Sequence, residues 1–146
     1  MSGFSTYLDN KLLDLVFSGT AYETPSKYIA LFYSDAGLTE NNSTALQEVS
    51  GTAYARVAVS NDKFSVASNS SVQNLANIEF PVAESDWGTV THIAIMDAAT
   101  DGNVLAWGVV RNPITMDAQP RDILTGDQFI IRTTTFNVRL QDNAVI

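Results

Sequence analysis

Cysteine is missing from this 146-residue chain. That excludes a disulfide framework and any thiolate metal site. Histidine occurs once, at His92. A structural zinc centre draws its ligands mainly from Cys and His, so none is expected. Charge is also scarce: Asp, Glu, Lys and Arg make up 16% of the residues, against about 25% in an ordinary domain. Basic residues are the rarer sign, with 8 Lys and Arg against 16 Asp and Glu, and the net charge is −8. Lys11, Lys27, Arg56, Lys63, Arg111, Arg121, Arg132 and Arg139 are scattered along the chain and form no stripe. Phosphate contacts supply most non-specific nucleic-acid affinity, so direct binding to DNA or RNA is not expected. The longest apolar runs, Ile29–Tyr33 and Phe129–Ile131, fall far short of the roughly 20 residues a membrane helix needs. Met-Ser-Gly-Phe-Ser at the start has neither a basic nor an apolar region, so no secretory signal is expected. No P-loop, dinucleotide fingerprint or nucleophile elbow occurs.

A chain of this length buries roughly 68–70% of its unfolded surface, enough for one core without staples. One helix is predicted, over Thr6–Phe17. Leu8, Leu12, Leu15 and Val16 recur at helical spacing, Thr6 and Asp9 have capping-box spacing, and Gly19 follows as a C-terminal cap. After Gly19 the pattern turns to short β runs. Lys27–Tyr33 is apolar on both faces and reads as a buried strand. Ser34–Val49 is polar and reads as a long surface loop, functional or mobile. Ala53–Val59 alternates, Lys63–Val66 offers a short strand, and Ile78–Val82 carries a proline that suggests an edge. Thr89–Asp97 and Val104–Val110 are the arms of the strongest hairpin, joined through Asp101-Gly102, which tolerate positive φ. Gln128–Leu140 reads as one long β run after a turn at Thr125–Asp127. The expected fold is mainly β: an antiparallel β-sandwich or barrel-like domain with one N-terminal α-helix. Residues 1–20 read as a helical arm and 21–146 as a single β domain.

Little in the chain suggests reaction chemistry. His92 lies within a strand and reads as a packed histidine rather than a general base or metal ligand. Glu84, Asp86, Asp97 and Asp101 could in principle form a carboxylate pair for glycoside hydrolysis. They sit at strand ends and turns, where Asp serves backbone hydrogen bonding. Trp87 and Trp107 could stack on a glycan; the plainer reading is core or subunit interface. Asp97–Asn103 lacks the ligand pattern of a calcium loop. Asn41-Asn42-Ser43 and Asn69-Ser70-Ser71 match a glycosylation pattern and read as chance. No enzyme, cofactor or metal is expected.

Several segments together carry a family resemblance. They are Tyr7–Asp14 with Gly19–Tyr22, Tyr28–Phe32, and Glu48–Gly51 with Tyr54–Arg56. The most specific is Trp87–Ile95, which continues through Asp97–Thr100 to Leu105–Gly108. In this order the chain resembles a family of short bacteriophage virion proteins that often bear the name tail fibre protein. Arg111–Leu124 departs from the shorter members as a longer connection and offers an added contact arm. The resemblance implies a non-enzymatic structural protein of the virion, made in the host cytoplasm. Capsid cement or decoration is the expected role, with the major capsid protein as partner; a tail fibre or baseplate position that binds receptor or glycan is the alternative. A homotrimer is expected because cyclic symmetry closes identical contacts. Phe4, Tyr7, Leu8, Leu12 and Phe17 are the expected interface residues.

Overall fold

The computed structural model describes residues 3–140. The chain enters through strand β1 (Gly3–Phe4) and helix α1 (Thr6–Phe17). It continues through β2 (Tyr28–Phe32), β3 (Val57–Ala58), β4 (Ser71–Gln73), β5 (Ile78–Glu79) and β6 (Gly88–Val90). Then come β7 (His92–Met96), β8 (Val104–Val109), β9 (Arg121–Ile123), β10 (Ile130–Ile131) and β11 (Asn137–Arg139). Five strands make the main sheet, in the order β1-β8-β7-β2-β3. Three two-stranded ladders, β10-β5, β11-β4 and β6-β9, complete the β structure. Named strand pairs are all antiparallel among the described residues. The protein is thus mainly β and antiparallel with one helix near its N-terminus, as the sequence predicts.

The main sheet is buried on both faces, which explains the unbroken apolar run of β2. Ile29 and Leu31 face one core, together with Ile95, Leu105, Phe80, Trp87 and Ile123. Ala30 and Phe32 face the other, with Ala94, Met96, Val104 and Trp107. Strand alternation does this sorting, because successive side chains point to opposite faces. Leu38 comes from the polar stretch expected to be a surface loop, and it is completely buried in the second core. That stretch therefore folds back as a cover over one sheet face. Apolar Leu38 and Leu46 supply its inner side, while its Ser, Thr and Asn residues made it read as solvent-facing.

Three further expectations are corrected. Thr89–Asp97 is not one strand, because the chain changes ladders at Thr91. β6 pairs with β9, while β7 lies between β2 and β8. Thr91 is held at the crossing by its N–H donating to Phe32 O (3.0 Å) and its hydroxyl donating to Tyr33 O (2.8 Å). Gln128–Leu140 splits into β10 and β11 around Thr134, whose φ is 64°. Buried Asn74 fixes that break: its Nδ2 donates to Arg132 O, and its Oδ1 accepts from Phe136 N, both at 2.9 Å. Lys63–Val66 forms no strand. Asn61–Lys63 is a 3₁₀ turn, and Phe64 makes an isolated bridge to Asn74.

The β7–β8 hairpin is present as expected, with Asp101 at φ 53° and Gly102 at φ 74° in its turn. A Cβ on Gly102 would stand 2.5 Å from Asp97 Oδ1, so glycine is required there. Helix α1 also has its expected span, but its cap is Ser5 rather than Thr6. Ser5 is fully buried, and its Oγ accepts from Leu8 N at 3.2 Å while donating to Val104 O. Its own N–H donates to Leu105 O at 2.9 Å. One residue thus caps the helix and stitches it to β8. Gly19, at φ 67°, turns the chain so that Thr20 N–H returns to Asp14 O at 3.0 Å.

Candidate functional site

Helix α1 has an unusual balance of burial. None of its residues is buried. Its second half, Leu12-Leu13-Asp14-Leu15-Val16-Phe17, is almost wholly apolar. Leu13 is 54% exposed, Val16 69% and Phe17 79%. A surface helix normally turns one apolar stripe to the core and a polar face to water. Here the stripe is used only in part, and the helix end offers apolar surface outward. Of the five expected interface residues, Phe4, Tyr7 and Leu8 are half-buried against the edge of the first core. Leu12 is half-buried and Phe17 stands free.

Phe4, Leu8, Leu12 and Leu15 form one wall of an apolar groove between the helix and the β4–β11 ladder. Phe64, Val72 and Val138 form the opposite wall, with Ile95 and Leu105 among its other lining residues. Its volume is about 450 Å³. Lys27 stands at the groove, donating to Asn61 Oδ1 and to Pro25 O. Burial lowers the pKa of this ammonium. No carboxylate pairs with it among the described residues. Sequence reasoning misses the far wall because Phe64, Val72 and Val138 come from three separate segments that only the fold brings together.

A second feature lies beyond β8. Arg111 and Ala118 bridge to close a short finger over residues 112–117. Asn112 organises its tip: the side-chain Oδ1 accepts from Ile114 N (2.8 Å) and Thr115 N (3.2 Å). The Asn112 carbonyl accepts from Met116 N at 2.8 Å, and its N–H donates to Asp117 O at 2.9 Å. Ile114 is 90% exposed and Met116 60%. The expected connection Arg111–Leu124 is thus only in part a protruding tip, because Arg121–Ile123 form strand β9 on β6 and Ile123 is buried in the first core.

The chemistry-bearing residues serve the fold. Trp87 is 1% exposed, stacked edge-on against Tyr54, with its Nε1 donating to Thr52 O at 3.0 Å. Trp107 is 9% exposed and lies in the other core, its ring 5.8 Å from His92. The two tryptophans occupy opposite sides of the sheet, and neither offers a ring face for a sugar. His92 Nδ1 lies 2.7 Å from Thr91 Oγ1. Because that hydroxyl already donates to Tyr33 O, the ring must be the donor at Nδ1. Burial lowers the His92 pKa, with Asp35 working the other way. Asp97 accepts from Asn103 N and Nδ2 (2.6 and 2.9 Å) and closes the hairpin turn. Asp86 accepts from Thr125 N and Oγ1 (2.8 and 3.0 Å), which lowers its pKa. Glu84 and Asp101 are exposed. Among the described residues no group of His, Asp and Glu could hold a metal ion, and no helix is long and apolar enough to cross a membrane.

One polar cluster went unrecognised in the sequence. Arg56, whose side chain is 5% exposed, grips Glu48 with two parallel bonds of 2.8 and 2.7 Å. Its third nitrogen donates to Ala98 O and Asp101 O at 2.7 and 2.8 Å. Tyr54 hydroxyl donates to the same carboxylate at 2.7 Å and accepts from Leu31 N at 3.1 Å. Burial works against the Arg56 charge, but Glu48 outweighs it and the pKa rises. Burial likewise pushes the Tyr54 phenol up. This cluster ties the sheet cover, β2 and the hairpin turn together.

Fold and surface together define a structural β module that displays an apolar helix, a groove and a finger. The family model described as Podophage GP4 fiber I protein gp80 matches residues 3–139, and the chain belongs to that family. It is a phage fibre structural protein and a component of the virion. No curated protein matches the chain.

Proposed function

We propose that this chain is a non-enzymatic building block of the phage tail fibre, joined to copies of itself, as a homotrimer, and to neighbouring tail proteins. The observation that carries the reading is the exposed apolar end of α1, with Leu13, Val16 and Phe17 directed away from the core. Soluble monomers rarely expose contiguous apolar patches without a partner for them. Burying a Val or Phe side chain is worth about 1.5–3 kcal/mol, so these positions can anchor an attachment. The family's fibre description moves the preference away from the capsid cement role expected at first. It favours the tail alternative. The receptor or glycan part of that alternative draws no support from Trp87 or Trp107, which are packed inside.

The edges of the main sheet favour side-chain contacts over strand addition. β1 and β3, at its two ends, are only two residues long. Short edges offer few unpaired backbone groups to a neighbouring chain. A Val16→Asp/Phe17→Asp double variant should fold like the parent and fail to enter virions when it replaces the parent during phage growth. Quantitative protein analysis of purified particles reads both incorporation and copy number. A few to tens of copies fits a fibre; hundreds of copies per particle would return the protein to the capsid surface.

A further inference from the structure

We propose that the finger of one copy seats in the groove of the next, so that Ile114 and Met116 fill the space between α1 and the β4–β11 ladder. The inference rests on the self-association in the functional reading and names the surfaces that perform it. The occupant is a second copy of this chain, for three reasons.

The first is geometric. The finger starts just past the end of β8, while Leu105 and Ala106, near that strand's start, line the groove. Arg111 and Ala106 are separated by about 17 Å along an extended strand at ~3.3 Å per residue. The finger leaves from the end away from its own groove. Knob and hole at opposite ends of one strand are the arrangement that a head-to-tail contact uses. Such a contact closes a ring when the rotation permits and otherwise runs on as a filament. A cyclic trimer is built from contacts of this kind.

The second reason is size. An apolar cavity of about 150 Å³ accepts a benzene molecule. The groove, at about 450 Å³, has room for the side chains of Ile114, Met116 and the adjoining Pro113. The tip is already ordered by Asn112 and by Arg111 Nη1 donating to Met116 O at 3.0 Å. Little conformational freedom is then lost on docking, which favours binding.

The third reason is charge. Lys27 at the groove has no carboxylate partner among the described residues. The finger brings the exposed carboxylate of Asp117 beside Met116. The paired contact is apolar at its centre and opposite in charge at its rim, as interfaces usually are.

The chain has no native cysteine, so crosslinking gives a clean test. An Ile114→Cys/Leu15→Cys double variant of the full chain should form intermolecular disulfides that close into a trimer or extend as a ladder. Each single variant should stop at a dimer or stay uncrosslinked. In parallel, Ile114→Asp and Leu15→Asp should each weaken self-association at least tenfold in sedimentation. Both sites are exposed, so folding should persist, and circular dichroism checks it. Mixing the two should restore a one-to-one complex, because one finger and one groove remain intact. A parent chain that stays monomeric overturns the inference, and so does self-association unchanged by Ile114→Asp. The attachment variant at Val16 and Phe17 is read in virions instead, so failure of the fibre role and failure of this contact are separable.

Discussion

Removing Arg56 should cost more stability than any single surface change in this protein. The guanidinium makes four hydrogen bonds, two to Glu48 and two to backbone carbonyls in the hairpin turn. In Arg56→Met the apolar stem is kept and the charge is lost. The Glu48 side chain, 25% exposed, then holds only the Tyr54 hydroxyl. Breaking one partner of a buried ion pair costs about 3–5 kcal/mol. Partial exposure of Glu48 puts the expected loss at the low end, about 3 kcal/mol, because water screens part of the carboxylate. A domain near this length loses roughly 4 °C of Tm per kcal/mol, so a drop on the order of 10 °C is expected. Glu48→Gln keeps an acceptor for Tyr54 and should cost less. The Arg56→Met/Glu48→Gln pair removes both charges and should cost clearly less than the two single losses added together. Urea denaturation of the four proteins completes a double-mutant cycle. A loss below about 1 kcal/mol for Arg56→Met, or strict additivity of the two changes, would refute the idea that this pair fastens the cover to the sheet.

Three other outcomes are expected. Ser5→Ala removes the helix cap, worth about 1 kcal/mol, and leaves Val104 O without its donor; a combined loss near 2 kcal/mol should show in chemical denaturation, and a loss under about 0.5 kcal/mol would count against the stitch. Gly51→Ala places a Cβ 2.5 Å from Trp87 Cδ1, and since that ring is enclosed the variant should lose about 1–3 kcal/mol, with a parent-like Tm as the contrary result. His92 is held below its ordinary pKa of 6.5 by burial, so the unfolded chain takes up the proton first as pH falls. Its share of stability is full above pH 6.5 and declines below it. Urea midpoints at pH 7.5 and pH 5.5 should converge in His92→Gln relative to the parent, and an identical pH response in both proteins would contradict the assignment.

The residues legible in the sequence were those with a repeating local signal. The helix span, the apolar strand β2 and the Asp101-Gly102 turn each follow from spacing or from a turn residue's φ preference. Elements set by contacts between distant residues were not legible. Thr91 interrupts an apparently continuous strand because it bonds to Phe32 and Tyr33, more than fifty residues earlier. Thr134 breaks another because Asn74 reaches across to hold the chain there. Ser5 and Thr6 are neighbouring residues that both suit a cap, and the bond that singles out Ser5 by burying it goes to Val104, 99 positions away. The same limit applies to the groove, whose far wall comes from three segments that meet only through the fold.

The segments that carry the family resemblance fall in helix α1, in the ion-pair cluster and in the cores. Glu48, Tyr54 and Arg56 make the ion-pair cluster, and Trp87 and Trp107 fill the two sides of the sheet. Such residues are tied to the fold by many partners at once. They make the family recognisable without saying what any member touches. The finger lies outside those segments, in a connection whose bridge at Arg111 and Ala118 closes it independently of the tip. A tip whose side chains contact nothing essential to folding is free to be fitted to a partner. The groove that would receive it borrows its walls from a helix and a ladder that the core already positions. Leu8, Leu12, Ile95, Leu105 and Ala106 of that groove lie within the resemblance segments. Recognition and attachment therefore share residues at the groove, and only the finger half of the contact falls outside the family pattern.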